Sequence, residues 1–549
     1  MDKVKEKLKD FSTEDFRNMI LSWASEEHPS NRQVFLDKLI PQKQKEEVIS
    51  DVDWLMGAIE DFEERVRDGV YCDGWRWDDT IGEERDFGDE SWAEEMDEFF
   101  MQARSLLLQG EYKIAEEAYR KLFDILQMGE EPGHLPGDLD QSSMLKVDID
   151  EQVALFFRSV YMNSTLQERA DLLYESMNEY GYLWRIVGLK DIINVYDDTL
   201  PDFDIFLTKW IELLKDEGTS RVSELLREAV FLKGGIPAIS EFARQYADKY
   251  PNAYLDWIAA LEREGDSVIQ VAREGLSEIP QDYTVRAKVA ETISKAGERL
   301  DDNKLRLEGY RECFYSDPTI EHLLDLYITA IECDCFEEIR DKAEERIMEL
   351  LGKKDERRTS YNYFEEQHRA FVSEGTLANA MLLGGRYEKV FRMCEGRGSL
   401  GWSYRENPKF TFLTFILVFL SKEGVHSKVL YKEWADAIRY SVRETYIKKY
   451  QRVVDDTQKY LKLTEEEENF YLNWCKDEIE HRADEIVSNQ YRGSYYKAAG
   501  LLVAMAETLA NRGKRREGIE LIEGYRSKYP RHIAFKSELT KALNESGLK

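Results

Sequence analysis

Cysteine is scarce in this chain: six in 549 residues, at positions 72, 313, 333, 335, 394 and 475. That number and scatter exclude a disulfide framework. Proline is also sparse, with 11 residues beside a charged fraction of 34%, a balance that suits exposed helix faces better than sheets. Long apolar runs are missing. The strongest, Phe410 to Leu420, falls well short of the roughly 20 residues of a spanning helix and reads as a buried one. The N-terminus, Met1-Asp2-Lys3-Val4-Lys5-Glu6, lacks the apolar centre of a signal peptide. The expected compartment is the cytosol, with no membrane partner.

Catalytic signatures are equally thin. There is no Gly-x-x-x-x-Gly-Lys-Ser/Thr phosphate loop, no Gly-x-Ser-x-Gly elbow and no His-Glu-x-x-His, and the seven histidines are scattered. Cys394, before Glu395-Gly396-Arg397-Gly398, has a cation close enough in sequence to lower a thiol pKa; the competing reading is a small residue packed at a helix end. Asp73, Asp78 and Asp79 lack the regular ligand order of a calcium loop. The expectation is a non-enzyme with no catalytic residue, no cofactor and no metal.

Positive charge is in deficit. Lysine and arginine total 76 against 109 aspartates and glutamates, a net charge of −33, which opposes binding to phosphate backbones. The deficit is uneven: residues 51–100 carry 19 acids and 4 bases, whereas 481–549 carry 13 bases and 8 acids.

What is present is helical period. Ser12-Thr13-Glu14-Asp15 precedes Phe16, Met19, Ile20 and Trp23, and a second face follows at Val52, Leu55, Met56, Ile59 and Phe62. The period lapses over Asp68–Ser91, read as an extended loop. It returns with Ala103, Leu107, Gly110, Tyr112, Ala115, Ala118, Tyr119 and Leu122, a tetratricopeptide-like pattern in which glycine and small residues let two helices approach. Gln127–Asp150 reads as a loop. The clearest repeats lie at 236–351, with Pro251, Pro280 and Pro318 near helix starts. A helix is expected over Gln367–Leu383, a break at Gly384-Gly385, a long helix from Glu433 to Leu461, and a capping box at Thr464 and Glu467. The fold class is therefore all-α: a tetratricopeptide-like solenoid of stacked hairpins with a compact C-terminal helical unit. The expected divisions are 1–95, 96–395 and 396–549.

Three stretches carry a resemblance: Ile486-Val487-Ser488-Asn489-Gln490-Tyr491-Arg492-Gly493-Ser494-Tyr495-Tyr496-Lys497-Ala498-Ala499, Tyr529-Pro530-Arg531-His532 with Ala534-Phe535, and Leu400-Gly401-Trp402-Ser403 with Glu406-Asn407-Pro408. In order and spacing, residues 95–549 resemble the helical C-terminal region of bacterial SWIM zinc-finger proteins. That family's Cys-x-Cys…Cys-x-His site is missing: Cys333-Asp334-Cys335 has no Cys-x-His after it, and on a helix residues i and i+2 point about 200° apart. The resemblance implies the helical scaffold without the metal module.

Two clusters read as candidate partner-binding sites. One is Trp75, Trp77, Phe87 and Trp92 among acids, either partner anchors or a plug folded onto the solenoid. The other is Asn489, Arg492, Tyr495, Tyr496 and Lys497, either a ligand site or a structural joint. The functional expectation is a protein-binding scaffold or adaptor acting through the solenoid groove or the acidic loop. A narrower form is a regulatory component of a bacterial stress or phage-defence system, released by cleavage in 127–150 or 384–408. The alternative is nucleic-acid binding through Arg512, Lys514, Arg515, Arg516, Arg526, Lys528 and Arg531.

Overall fold

The computed structural model describes residues 52–548 apart from 73–74, 79–81, 87–89, 130, 132, 137–140, 181–186, 216–219, 266, 354–367, 401–406, 422–426, 440 and 459–462. The helix expected around Phe16–Trp23 lies outside the described residues. Among them the chain forms 23 α-helices and one two-stranded hairpin, an all-α solenoid-type fold. Contacts divide it into two units, Met1–Asp216 and Glu217–Lys549; the boundaries drawn from the sequence at 95 and 395 fall inside these.

In the first unit, helix α1 (Val52–Arg67) buries Leu55, Ile59, Phe62 and Val66, a 4-3-4 spacing that places all four on one stripe. The following segment is not the extended loop expected. Strands β1 (Trp75–Asp78) and β2 (Glu83–Asp86) pair antiparallel, Trp75 opposite Asp86 and Asp78 opposite Glu83. A stretch without helical period still has to satisfy its backbone donors and acceptors, and a hairpin does so locally. Gly82, at φ 72°, supplies the left-handed residue of the turn.

Helices α2 (Ser91–Gln109) and α3 (Tyr112–Gly129) make the first helical pair. Gly110 adopts φ 88°, its amide meets Leu107 O at 3.1 Å, and the Glu111 amide meets Leu106 O at 3.0 Å, a glycine-terminated helix end. Its role is the turn, not close helix approach: a Cβ there would touch nothing within 4 Å. Helices α4 (Ile149–Asn163), α5 (Arg169–Tyr180), α6 (Leu189–Asn194) and α7 (Phe203–Leu214) complete the unit. Its core is aromatic, with ring pairs Phe100–Phe123, Phe123–Phe156 and Phe156–Tyr180 at 5.3–5.7 Å. The stretch 127–150 is more tied down than a plain loop. Its start belongs to α3, Gln141–Met144 is a 3₁₀ turn, and the Lys146 and Val147 amides donate to the buried Asp97 carboxylate at 3.0–3.1 Å.

The second unit opens with α8 (Ser220–Gln245), broken at Gly235, where φ is 60° and ψ −148°, two residues before Pro237. Then follow α9 (Ala253–Glu264), α10 (Ile269–Glu278), α11 (Val285–Leu300), α12 (Asn303–Ser316), α13 (Ile320–Glu332), α14 (Phe336–Gly352), α15 (Glu374–Leu383) and α16 (Tyr387–Cys394). Each packs on the next, and α9 touches α11, α12 touches α14 and α13 touches α15, the nearest-neighbour pattern of a stacked-hairpin array. The tightest pair is α11 with α12. Two glycines allow it: a Cβ on Gly309 would lie 2.3 Å from the Ser294 amide nitrogen, and one on Gly297 2.5 Å from that of Arg306.

The helix expected from Gln367 begins only at Glu374. Before it, Arg369 bridges Tyr283 and the Thr284 amide meets His368 O at 2.8 Å, so this stretch is extended against an earlier turn. From α17 (Lys409–Ser421) the packing changes from linear to radial. Helix α21 (Tyr495–Asn511), apolar on nearly all sides, is surrounded by α17, α18 (Lys428–Arg439), α20 (Glu465–Ser488), α22 (Arg515–Lys528) and α23 (Ile533–Glu545). The apolar Phe410–Leu420 run is α17, buried almost throughout. The single long helix expected over Glu433–Leu461 is two: α18, a turn with Glu444–Tyr446 in 3₁₀ form, and α19 (Ile447–Gln458). The Thr464 capping box opens α20, with Thr464 Oγ1 accepting from the Glu467 amide at 3.3 Å.

Candidate functional site

Of the two clusters proposed from sequence, the first is described in part and the second divides between core and surface. Trp75 and Trp77 lie in β1, and Phe87 lies outside the described residues. Trp92, in the first turn of α2, is 0% exposed. It is a core residue of the first unit and not a partner anchor. Its apolar neighbours Met96, Phe99 and Phe100 share the helix period, so the period resumes at Trp92.

The second cluster divides by helix geometry. The Asn489 side chain donates to Glu485 O at 2.8 Å and ends α20. Arg492 is exposed in a 3₁₀ turn. Tyr495 is buried, edge-on to Phe535 at 5.8 Å, and Phe535 also meets Tyr529 at 6.2 Å. Two of the stretches carrying the family resemblance therefore pack on each other, a structural joint. Tyr496 is 57% exposed, and with Lys497 it lines a cleft of about 440 Å³ between α18, α21 and α23.

Sequence reasoning missed the residue at the back of that cleft. Glu433 lies where Gly500 makes room for it: a Cβ at position 500 would come 2.1 Å from Glu433 Oε1. Burial pushes the Glu433 carboxyl up to about 7, with Asp436 acting in the same direction. Around the rim Lys432 pairs with Glu545 at 3.4 Å and Arg439 with Asp436 at 2.8 Å. A few residues along α21, Glu507 is wholly buried. It accepts from the Val429 and Leu430 amides at 3.3 and 2.8 Å and from the Gly547 amide at 3.3 Å. One carboxylate thus caps the start of α18 and holds the C-terminal tail.

Three ion pairs join α13 to α19 and the turn before it. Acids Glu321, Asp325 and Glu332 meet Arg443, Lys449 and Arg452: Arg443 Nε–Glu321 is 3.3 Å, Arg452–Glu332 is 2.8 Å, and Lys449 pairs closely with Asp325. Beneath this edge Tyr450, Val453 and Val454 are buried. The Tyr450 hydroxyl donates to Asn379 Oδ1 of α15 at 2.8 Å, and Trp434 Nε1 to Gln451 Oε1 at 2.6 Å. Beyond the end of α19 a cavity of about 750 Å³ opens, lined by Cys335, Arg340, Gly384, Gly385, Asp456 and Thr457. The acids at 321, 325 and 332 share a helix face and were legible as such; their partners, some 120 residues later, were not.

The cysteines behave as packing and turn residues. Cys394 is buried at the end of α16, and burial pushes its thiol up to about 12, opposite to an activated nucleophile. Cys333 and Cys335 flank Asp334 (φ 55°) in the α13–α14 turn. The helical geometry used above to separate them does not apply. Of the basic C-terminal residues, Arg512 pairs with Glu468, Arg516 with Glu520, Arg526 with Glu523 and Lys528 with Asp484, at 2.6–2.8 Å, and Lys514 reaches Glu517 at 4.0 Å. Arg515 donates to Leu548 O at 2.5 Å. Their charge is largely answered by the chain itself.

These features define a class: an all-α chain of stacked helix hairpins ending in a radial helical cluster. No protein-family model matches the chain, and no curated protein sequence is similar to it. Among solved structures it is similar to one described as a "Circular tandem repeat protein with novel repeat topology and enhanced subunit contact surfaces". The two are 14% identical, the match covers 96% of this chain and 94% of that one, and the TM-score is 0.17. At that score the likeness carries no argument. No helix among the described residues is long and apolar enough to cross a membrane.

Proposed function

We propose that this protein is a non-enzymatic scaffold or adaptor that binds other proteins through the surface of its stacked-helix array. The observation supporting the reading is the α8–α16 series. Each helix buries itself on its sequence neighbours, and arrays of this kind present outward helix faces that receive peptides and partner helices. The narrower form is a regulatory component of a bacterial stress or defence system that sequesters a partner until cleaved. It rests on the glycine-rich breaks at 127–150 and 384–408 as sites of cleavage alone. Recovery of the intact chain after limited proteolysis would remove it. Nucleic-acid binding through the C-terminal bases is the weaker reading, because those bases are paired with neighbouring carboxylates.

The test is cross-linked affinity capture of the full chain from its native host. One protein recovered at near-stoichiometric level supports the scaffold. Co-purifying nucleic acid without protein overturns it, as does recovery of the chain alone.

A further inference from the structure

We propose that the face formed by α13 and α15 is a docking groove for an amphipathic helix with a basic edge and a central aromatic residue, and that α19 fills it in cis. The proposal rests on the scaffold reading and names one partner chemistry for it.

Four observations carry it. First, α13 and α15 are alternate members of the linear array and touch each other, so they form one row; α19 lies across both although three helices, α16 to α18, separate it from α15 in the chain. Second, charge is complementary along the whole contact. Glu321, Asp325 and Glu332 span the length of α13 and meet Arg443, Lys449 and Arg452 in the same order. Third, the docked face of α19 has the anatomy of a bound peptide helix. Tyr450 is 0% exposed, Val453 and Val454 flank it, and its hydroxyl reaches Asn379. Asn379 is itself fixed by a bond to Gly375 O at 2.8 Å. A hydrogen-bonded aromatic anchor inside a charged rim is how helix-in-groove contacts are specified. Fourth, a cavity of about 750 Å³ lies beside Asp456 and Thr457 of α19 and is bordered by the α13–α14 and α15–α16 turns, so the face has depth as well as charge.

The ion pairs lie at a half-exposed edge, so they set register and salt sensitivity more than affinity. Displacing α19 uncovers Tyr450, Val453, Val454 and Thr457 and takes from Trp434 of α18 its ring neighbour and its Nε1 acceptor, while α21 keeps its contacts with the helices around it.

The experiment uses the full chain and a fluorescein-labelled synthetic peptide spanning residues 443–458, read by anisotropy. The Arg443→Glu/Lys449→Glu/Arg452→Glu variant turns three attractions into three repulsions and is expected to loosen α19 from α13. The peptide is expected to bind this variant at least about tenfold more tightly than wild type. Binding should weaken as salt rises and disappear when Glu321, Asp325 and Glu332 are also changed to lysine. Equal binding to wild type and variant overturns the proposal, as does binding to neither. If the variant fails to fold, hydrogen exchange on the wild-type chain decides. Amides of α19 exchanging well before those of α13, α15 and α21 support the groove; α19 amides as protected as those of α21 overturn it. Because the peptide comes from this chain, its failure leaves a partner captured elsewhere on the array untouched, and the two readings fail separately.

Discussion

Replacing Gly309 by alanine puts one methyl group into the tightest helix contact of the second unit. The Cβ would stand 2.3 Å from the Ser294 amide nitrogen and 2.8 Å from its Cα and Cβ. Two of these atoms are backbone and the third, Cβ, is fixed to it, so no side-chain rotation relieves the clash. Ordinary contact begins at 3.4 Å, so α11 and α12 must part by about 1 Å over their shared length, and close-packed helices resist this. Overpacking of this kind costs about 1–3 kcal/mol or more. Against it stands the gain of about 1 kcal/mol from replacing glycine by alanine inside a helix. Gly524 separates the two terms. It sits within α22, and a Cβ there meets nothing within 4 Å, so Gly524→Ala should give the propensity gain alone. Differential scanning calorimetry of the full chain should show the transition containing the second unit fall for Gly309→Ala and rise slightly for Gly524→Ala. Equal small rises for both would refute the close-approach argument.

Further consequences follow from the buried polar groups. Glu507→Gln loses the charged acceptor shared by the Val429, Leu430 and Gly547 amides; a loss of about 2–4 kcal/mol is expected, with carboxypeptidase releasing the C-terminal residues faster than from wild type. Glu433 has its folded pKa raised from the ordinary 4.5 to about 7, so the stability it contributes is complete below the unfolded value and is lost as pH rises through the folded one. Glu433→Gln should therefore match wild type near pH 4 and exceed it near pH 8 by at most about 3 kcal/mol, read from paired chemical denaturation curves; a pH-independent difference would count against the buried carboxylate. Tyr450→Phe removes the hydroxyl bonded to Asn379 and should cost about 1–2 kcal/mol, with faster exchange confined to α19 amides.

Local chemistry made much of the fold legible. The 3-and-4 spacing of Leu55, Ile59 and Phe62 defines α1, Thr464 with Glu467 defines the start of α20, and the run Phe410–Leu420 announces a helix buried almost throughout. Each rests on neighbours a few residues apart, and such signals survive without a tertiary context. The reading failed where a distant group answered a local one. The hairpin at 75–86 and the bridge between Tyr283 and Arg369 are backbone pairings with no helical period to announce them. The break between α18 and α19 lies where α19 turns onto α13, some 120 residues back in sequence. For Trp92, grouped with an acidic stretch, the sequence left open a partner anchor or a folded-back plug; the core claimed it because Met96 and Phe99 follow at helical spacing.

What the sequence determined by itself is the all-α class, the positions of most helices and the hairpin stacking, since propensity, capping and periodicity act within a turn or two. Which faces meet was settled only in three dimensions. Gly297 and Gly309 matter because two backbones cross at those points, Glu433 because Gly500 leaves a space beside it, and Glu507 because a helix start and a chain end both need an acceptor there. Glu321, Asp325 and Glu332 form a surface with a partner only because the chain returns to lay α19 across them. Such pairings cross dozens to more than a hundred residues, and a linear pattern carries no record of which distant group will answer a buried charge or fill an empty face.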